Sequence, residues 1–356
     1  MKKIVIYLLL FFLIIIATAF ISLKVASAPI YSISAKIKNA GLIEKKIEPE
    51  IPKAGLLFGG DVMLSRVVGQ KTAASGNWSW PFAKIASTTA AADLFIVNLE
   101  SPFTIGGSHL VKTGSFSFNA DPQMLAGLLT AGTDIATLAN NHTINQGRKG
   151  IADTQKLLSD NAIAFTGAGL NETEARTPVI KEMGGIKIGF LAYAYPDDYS
   201  IADSSTAGLA GLDIPKMQAD VKKLKPQVDL VIVTMHAGIE YVNKPNQQQK
   251  DFAHAAVEAG ADLVVGHHPH WVQTTEIYQG KPILYSLGNL VFDQMWSTET
   301  QEGALAEVTL ENKTIKAVKI IPIIIKDYGQ AEIADAATAA RILKRMGLSD
   351  AQMKIN

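Results

Sequence analysis

No cysteine occurs anywhere in the 356 residues, which excludes disulfide scaffolds, thiolate zinc sites and cysteine nucleophiles together. The absence leaves the redox compartment open, because a chain without thiols survives in any. Neither charge is in excess: 33 Lys and Arg balance 33 Asp and Glu. A nucleic-acid binder usually carries a basic surplus, so no nucleic-acid partner is expected. Charged residues are 19% and hydrophobic residues 48%, the reverse of what keeps a chain disordered. No internal repeat is visible. What remains is length enough for one large α/β domain with additions.

The N-terminus has its own character. Two lysines are followed by residues 4–23, twenty positions without a charge. That is about the length a helix needs to span a bilayer. Lysines on the near side hold that end in the cytoplasm and export the rest. The run is longer than a cleaved signal requires, so it reads as an uncleaved signal-anchor. The alternative is cleavage after Ala26-Ser27-Ala28, which the following Pro29 disfavours. Either way the protein is expected at the cell membrane, with its C-terminal domain outside the cytoplasm. Residues 24–53 carry scattered Lys and Glu and the stiffening run Glu48-Pro49-Glu50-Ile51-Pro52, as a tether does.

From residue 54 short apolar runs alternate with amphipathic stretches. The runs lie at 55–58, 94–97, 135–138, 186–192, 230–234, 263–265 and 283–285. Bounded by turn residues, they suit buried strands. Helices are expected from Asp121-Pro122, over 150–158 and over 247–259. This alternation argues for α/β with a largely parallel sheet. Residues 178–195 and 304–325 break it. Each reads as strand, turn, strand, around Gly184-Gly185 and Asn312-Lys313. The fold class is thus α/β with mixed sheets. The domain is expected over 54–330, closed by a C-terminal helix within 331–356.

Metal-capable side chains stand where the apolar runs end: Asp61 after Gly59-Gly60, Glu100 after Asn98-Leu99, then Asn140-Asn141-His142, His236, and Gly266-His267-His268-Pro269-His270. In open α/β sheets, ligands bind at the carboxyl ends of the strands. A lone Asp after a strand is usually a cap, and a lone His is usually structural. The set is different: of seven histidines, five fall at these ends, and only His109 and His254 do not. Carboxylate, amide and imidazole without thiolate suit one or two divalent ions: Mn, Zn or Fe. Two ions about 3.5–4 Å apart can activate water and polarise a phosphoryl or carbonyl oxygen.

In this order the blocks resemble the calcineurin-like metallophosphoesterase superfamily, and more closely its CapA family of capsule, or poly-γ-glutamate, synthesis proteins. The blocks are Gly60-Asp61-Val62-Met63-Leu64, Asn98-Leu99-Glu100-Ser101-Pro102, Ala139-Asn140-Asn141-His142-Thr143, His236-Ala237-Gly238-Ile239-Glu240-Tyr241, Gly266-His267-His268-Pro269-His270 and Ser286-Leu287-Gly288-Asn289. The resemblance covers roughly residues 56–325. It implies a layered sandwich of mixed sheets flanked by helices. It casts Asp61 as a ligand of the first ion, Glu100 as the bridge, and Asn141 and His236 as ligands of the second. His268 and His270 divide between the two, and His142 protonates a leaving group. His267, Asn140, Glu240 and Asn289 are left as candidate substrate contacts.

Three departures stand against full dinuclear chemistry. Met63 replaces a histidine ligand, and a thioether is a poor ligand for a hard ion. Glu100 replaces an aspartate. Thr143 replaces the acid that orients the catalytic histidine. Two function classes follow. One is a membrane-anchored metal-dependent hydrolase, acting on a phosphoester or on an anionic cell-wall or polyglutamate polymer. The other is a non-catalytic scaffold or polymer-binding subunit of a capsule-synthesis complex. Met63 favours the second; His142 and the imidazole cluster favour the first.

Overall fold

The structure, a computed structural model, describes residues 52–107, 116–195 and 200–355. The expected membrane segment 4–23, nearly all of the expected tether, and His109 lie outside the described residues. Among the described residues no helix is long and apolar enough to cross a membrane.

Two mixed sheets form the frame. The larger has nine strands. Its centre is Lys53–Val62, parallel to Leu94–Leu99, which is parallel in turn to Thr133–Thr137 and then Ala164–Thr166. On the other side Lys53–Val62 meets Glu302–Glu311 antiparallel, and beyond it Thr314–Lys326 and Gln330–Ile333. The smaller sheet has six strands. Ile186–Ala194, Leu230–His236, Leu263–His267 and Lys281–Leu284 run parallel, with antiparallel edges at Val179–Met183 and Thr275–Tyr278. Both expected hairpins are present, at Val179–Met183 with Ile186–Ala194 and at Glu302–Glu311 with Thr314–Lys326.

Period-two alternation decides the layering. Leu56, Phe58, Leu94 and Ile96 point to a core shared with Ile188, Phe190, Leu230 and Ile232 of the second sheet. Their neighbours Leu57, Phe95 and Val97 point away, into a core with Leu125, Leu128 and Leu158. On the far side Leu191, Tyr193, Val231 and Val233 meet Met217, Val221, Phe252 and Ala256. The order is helix, sheet, sheet, helix. Strands buried on both faces explain why their runs are apolar rather than alternating. Fully burying each such side chain stabilises the fold by about 1.5–3 kcal/mol.

The helices start where capping chemistry puts them. Gln247–Ala259 opens on a capping box of Asn246 and Gln249, and Asp213 caps Ile214–Leu224. Two orphan N–H groups are satisfied in such a box. The closing helix Ala336–Arg345 is tied down by Glu302, whose buried carboxylate takes Arg341 and Arg345 together. A buried carboxylate without such partners would destabilise by several kcal/mol.

Candidate metal centre

The parallel strands of both sheets end at one rim. Asp61 lies directly opposite Asn98 in the first sheet, and His236 opposite His267 in the second. Glu100 follows one residue beyond its strand, and Asn140 to His142 follow Thr133–Thr137. Asp61 donates its backbone N–H to the carbonyl of Gly288 at 3.0 Å. Gly60 makes that approach possible, because a Cβ there would stand 2.0 Å from the Gly288 oxygen. The turn after Leu263–His267 carries His268 at φ 97° and His270 at φ 55°. Left-handed backbone at non-glycine residues stores about 1–3 kcal/mol each and clusters at functional sites.

Asp61 is fully buried. Its Oδ1 accepts from Asn98 Nδ2 at 2.8 Å and lies 3.3 Å from His267 Nδ1. Its Oδ2 accepts from the His268 backbone N–H at 3.2 Å and lies 3.4 Å from His270 Nδ1. Burial alone would raise its pKa. His267 and His270 outweigh that and hold the carboxyl well below its usual range.

Glu100 is the exception. It too is fully buried, yet neither carboxylate oxygen has a hydrogen-bond partner. Burial and the charge of Asp61 push its pKa well above the usual value. A buried carboxylate without donors costs several kcal/mol unless a cation meets it. Two ligand sets close around it. Glu100, His236 and His268 form one, and Asp61, Glu100 and His270 the other, each with its ligand atoms within 4.8 Å of one another. Glu100 belongs to both, the place of a bridge. Asn141 joins the first set, its Oδ1 2.9 Å from His236 Nε2. His268 Nδ1 is 3.1 Å and Glu100 Oε1 3.5 Å from the same nitrogen. The donors therefore fit divalent ions of the kind that take mixed oxygen and nitrogen ligands.

The imidazoles differ in protonation. Burial, then the neighbouring His268, holds His236 well below the usual histidine range. Burial, then His270, lowers His268 to about 4. Burial lowers His142 to about 3. His270 goes the other way: burial opposes its charge, but Glu100 and Asp61 raise it to about 9. His142 stacks on Phe118 with ring centroids 3.8 Å apart. Its Nδ1 is 2.9 Å from Asn145 Oδ1, which also accepts from the Phe118 backbone N–H at 2.8 Å. That oxygen is an acceptor, so Nδ1 carries the proton. Nε2, 3.9 Å from Glu100, keeps its lone pair in the neutral ring.

Residues 55–294 match the family model described as bacterial capsule synthesis protein PGA_cap. The chain belongs to that family. Among its relatives, the capsule biosynthesis protein CapA of Bacillus anthracis is 28% identical over 83% of this chain and 74% of its own. The PGA biosynthesis protein CapA of Bacillus subtilis (strain 168) is 30% identical over 78% of this chain and 73% of its own. A hypothetical protein from Thermus thermophilus superposes with a TM-score of 0.49 at 15% identity, over 78% of this chain and 99% of that one.

Within this PGA_cap domain, Asp61, Glu100, Asn141, His236, His268 and His270 come together, with His142 beside them. The residues expected at substrate divide. Asn140 and Asn289 are fully buried and His267 nearly so, as buried as Asp61, Glu100, His236 and His270 themselves. Asn140 donates to Leu99 O and Asn98 Oδ1. Asn289 accepts from His270 Nδ1 at 2.9 Å and donates to Thr300 O. Glu240 is exposed at the lip. Beside it Tyr241 stacks on His270 at 6.0 Å and packs edge-on against Trp296 at 4.7 Å. Met63 points into the core, its sulfur taken by the N–H and hydroxyl of Ser65. The Thr143 hydroxyl turns away from the His142 ring and donates to the Leu138 carbonyl and to Asn140.

Three residues that serve the centre were not singled out from the sequence. Asn145 orients His142 from three positions downstream, where the motif directs attention one position downstream. Asn98 bonds Asp61, and its spacing of two from Glu100 on a strand was the available signal. Arg66 is held by Asp293 through Nε at 3.2 Å and through a second, terminal contact. Its guanidinium lies 4.9 Å from the Phe118 ring and 5.5 Å from that of Phe292, contacts that no local pattern announces. A cavity of about 780 Å³ is lined by Arg176, Leu209, Lys216 and Phe252 and by none of the centre's residues.

Proposed function

We propose that this protein is anchored by residues 4–23, with residues 52–355 outside the cytoplasm. It works in capsular poly-γ-glutamate synthesis or export, as part of a membrane complex with other subunits. Its strand-end centre takes one or two divalent ions, Mn, Zn or Fe, and hydrolyses an anionic polymer or a phosphoester. The observation that carries the reading is Glu100: a fully buried carboxylate, neither oxygen hydrogen-bonded, ringed by Asp61, His236, His268 and His270. The names of the two Bacillus relatives support the capsule setting.

A divalent ion at such a centre supplies Lewis acidity and lowers the pKa of water. The protein's residues do the rest. Asp61, Glu100, Asn141, His236, His268 and His270 hold the ligand geometry, and Asn98, Asn289 and Asn140 brace it from behind. His142 faces Glu100 with a bare Nε2. A neutral ring with its proton fixed on Nδ1 accepts a proton there. The resemblance makes it a donor; the hydrogen bond from Nδ1 to Asn145 favours an acceptor that takes the proton of an attacking water.

The test combines place and metal. A reporter active only outside the cytoplasm, fused after Asn356, should be active, and the full chain should fractionate with membranes. Protein purified without chelator should carry Mn, Zn or Fe, and His236→Ala and His268→Ala should lower its content. Cytoplasmic activity of the reporter would sink the placement. Wild-type protein that takes up no ion even in excess would leave the scaffold reading, which the loss of Met63 to the core favours.

A further inference from the structure

Behind the ligands runs a ladder of two amides whose direction the backbone sets. Asn140 Nδ2 donates to the Leu99 carbonyl at 2.8 Å, and Asn140 Oδ1 accepts from the His142 backbone N–H at 3.2 Å. A carbonyl must accept and an N–H must donate, so Asn140 is fixed at both ends. Its Nδ2 also meets Asn98 Oδ1 at 3.2 Å, which fixes Asn98 in turn. Asn98 Nδ2 therefore points the other way, to Asp61 Oδ1 at 2.8 Å and His236 Nδ1 at 3.2 Å. A donor against Nδ1 requires a lone pair there. Neutral His236 then carries its proton on Nε2, the nitrogen on which Asn141 Oδ1, His268 Nδ1 and Glu100 Oε1 converge.

We propose that Asn98 is a positioning residue that holds His236 in the Nε2–H form and so weakens the ion position formed by Glu100, Asn141, His236 and His268. The inference rests on the metal-binding reading above. A metal-ligating imidazole ordinarily donates its other N–H to a carboxylate or carbonyl, and losing that partner weakens binding about 10–100-fold. Here the partner is a donor instead. An ion at Nε2 must send that proton to Nδ1 and turn both amides over, breaking the bonds at Asp61 Oδ1, Leu99 O and His142 N. Occupancy of this position is thereby coupled to the backbone that carries His142. The two ion positions are unequal by construction: the Asp61, Glu100 and His270 position gives up one proton from His270 and loads first, whereas the His236 position must also rearrange both amides and loads later and more weakly.

The test has two readouts on the full chain. Long-range ¹H–¹⁵N spectra of protein stripped by chelator, with His236→Gln for assignment, should show His236 with Nε2 protonated and Nδ1 bare. Zn²⁺ titration against a competing chelator should show a strong and a weak site. Asn98→Asp gives His236 Nδ1–H a carboxylate and should tighten the weak site about 10–100-fold. Asn98→Ala, which removes the donor without adding charge, should not weaken it, and keeps the test decisive if the acidic variant fails to fold. Nδ1-protonated His236 in the stripped wild type overturns the proposal, as does weaker Zn²⁺ binding in folded Asn98→Ala. Wild-type protein that binds no Zn²⁺ at all refutes the metal reading instead, and the tautomer measurement still stands by itself.

Discussion

Asp61→Ala should lose ion and hydrolysis together, whereas His142→Ala should keep the ion and slow hydrolysis about 10²–10⁴-fold, the usual worth of a positioned acid or base. Asp61 faces His270 and belongs to a ligand set. His142 belongs to neither set; it leans on Phe118 and is tied to Asn145. Substrates with different leaving groups separate its two roles. If His142 protonates the leaving group, the loss shrinks for a nitrophenolate, which needs no proton. With Nδ1 bonded to Asn145 Oδ1 and burial disfavouring a second proton, His142 is neutral at pH 7 and its bare Nε2 is the acceptor. The expected loss is therefore the same for acidic and basic leaving groups. A loss confined to poor leaving groups would return His142 to the donor role. Ion lost from His142→Ala as from Asp61→Ala would make it a ligand. Asn145→Ala should follow His142→Ala in direction with a smaller loss, because it frees the ring to turn without removing it.

Much of this centre was legible in the chain because buried parallel strands write themselves as apolar runs, and their carboxyl ends are where side chains leave the core. The runs at 55–58, 94–97, 230–234 and 263–265 all lie inside strands, and Asp61, Glu100, His236 and the His267–His270 turn follow from them. The layering was less legible. Which strands share a sheet depends on pairings such as Lys53–Val62 with Glu302–Glu311, about 250 residues apart. The bracing of the site was least legible. Asn98, Asn140 and Asn289 look alike as turn residues in sequence. Their hydrogen bonds to Asp61, to the Leu99 carbonyl and to His270 are visible only in three dimensions. Met63 itself was plain in the sequence, but its setting, a thioether folded into the core under Ser65, depends on packing.

The ion-free protein should be most stable near pH 6.5 and less so on either side. On the alkaline side the group is His270. Its burial opposes charge, but Glu100 and Asp61 raise its pKa from 6.5 to about 9. The folded state thus holds a proton that the unfolded state has released. The stability from it is fully present below pH 6.5 and disappears as pH rises through about 9. It amounts to roughly 3 kcal/mol, because each pH unit between the folded and unfolded values is worth about 1.4 kcal/mol. Glu100, also raised, acts in the same direction, and the two need hold only one proton between them. On the acid side His268 and His142 are kept neutral by burial, down to about 4 and about 3. There the unfolded chain binds protons that the folded chain refuses, so stability falls as pH drops below 6.5. A saturating divalent ion takes the proton's place beside Glu100. It should raise the melting temperature most at pH 9, where the ion-free centre is an uncompensated pair of buried carboxylates. Thermal melts from pH 4 to 10, with chelator and with excess Mn²⁺ or Zn²⁺, measure both curves. An ion-free curve that stays flat or rises between pH 6.5 and 9 would show that the carboxylates hold no such proton, and the electrostatic account of the centre would fail with it.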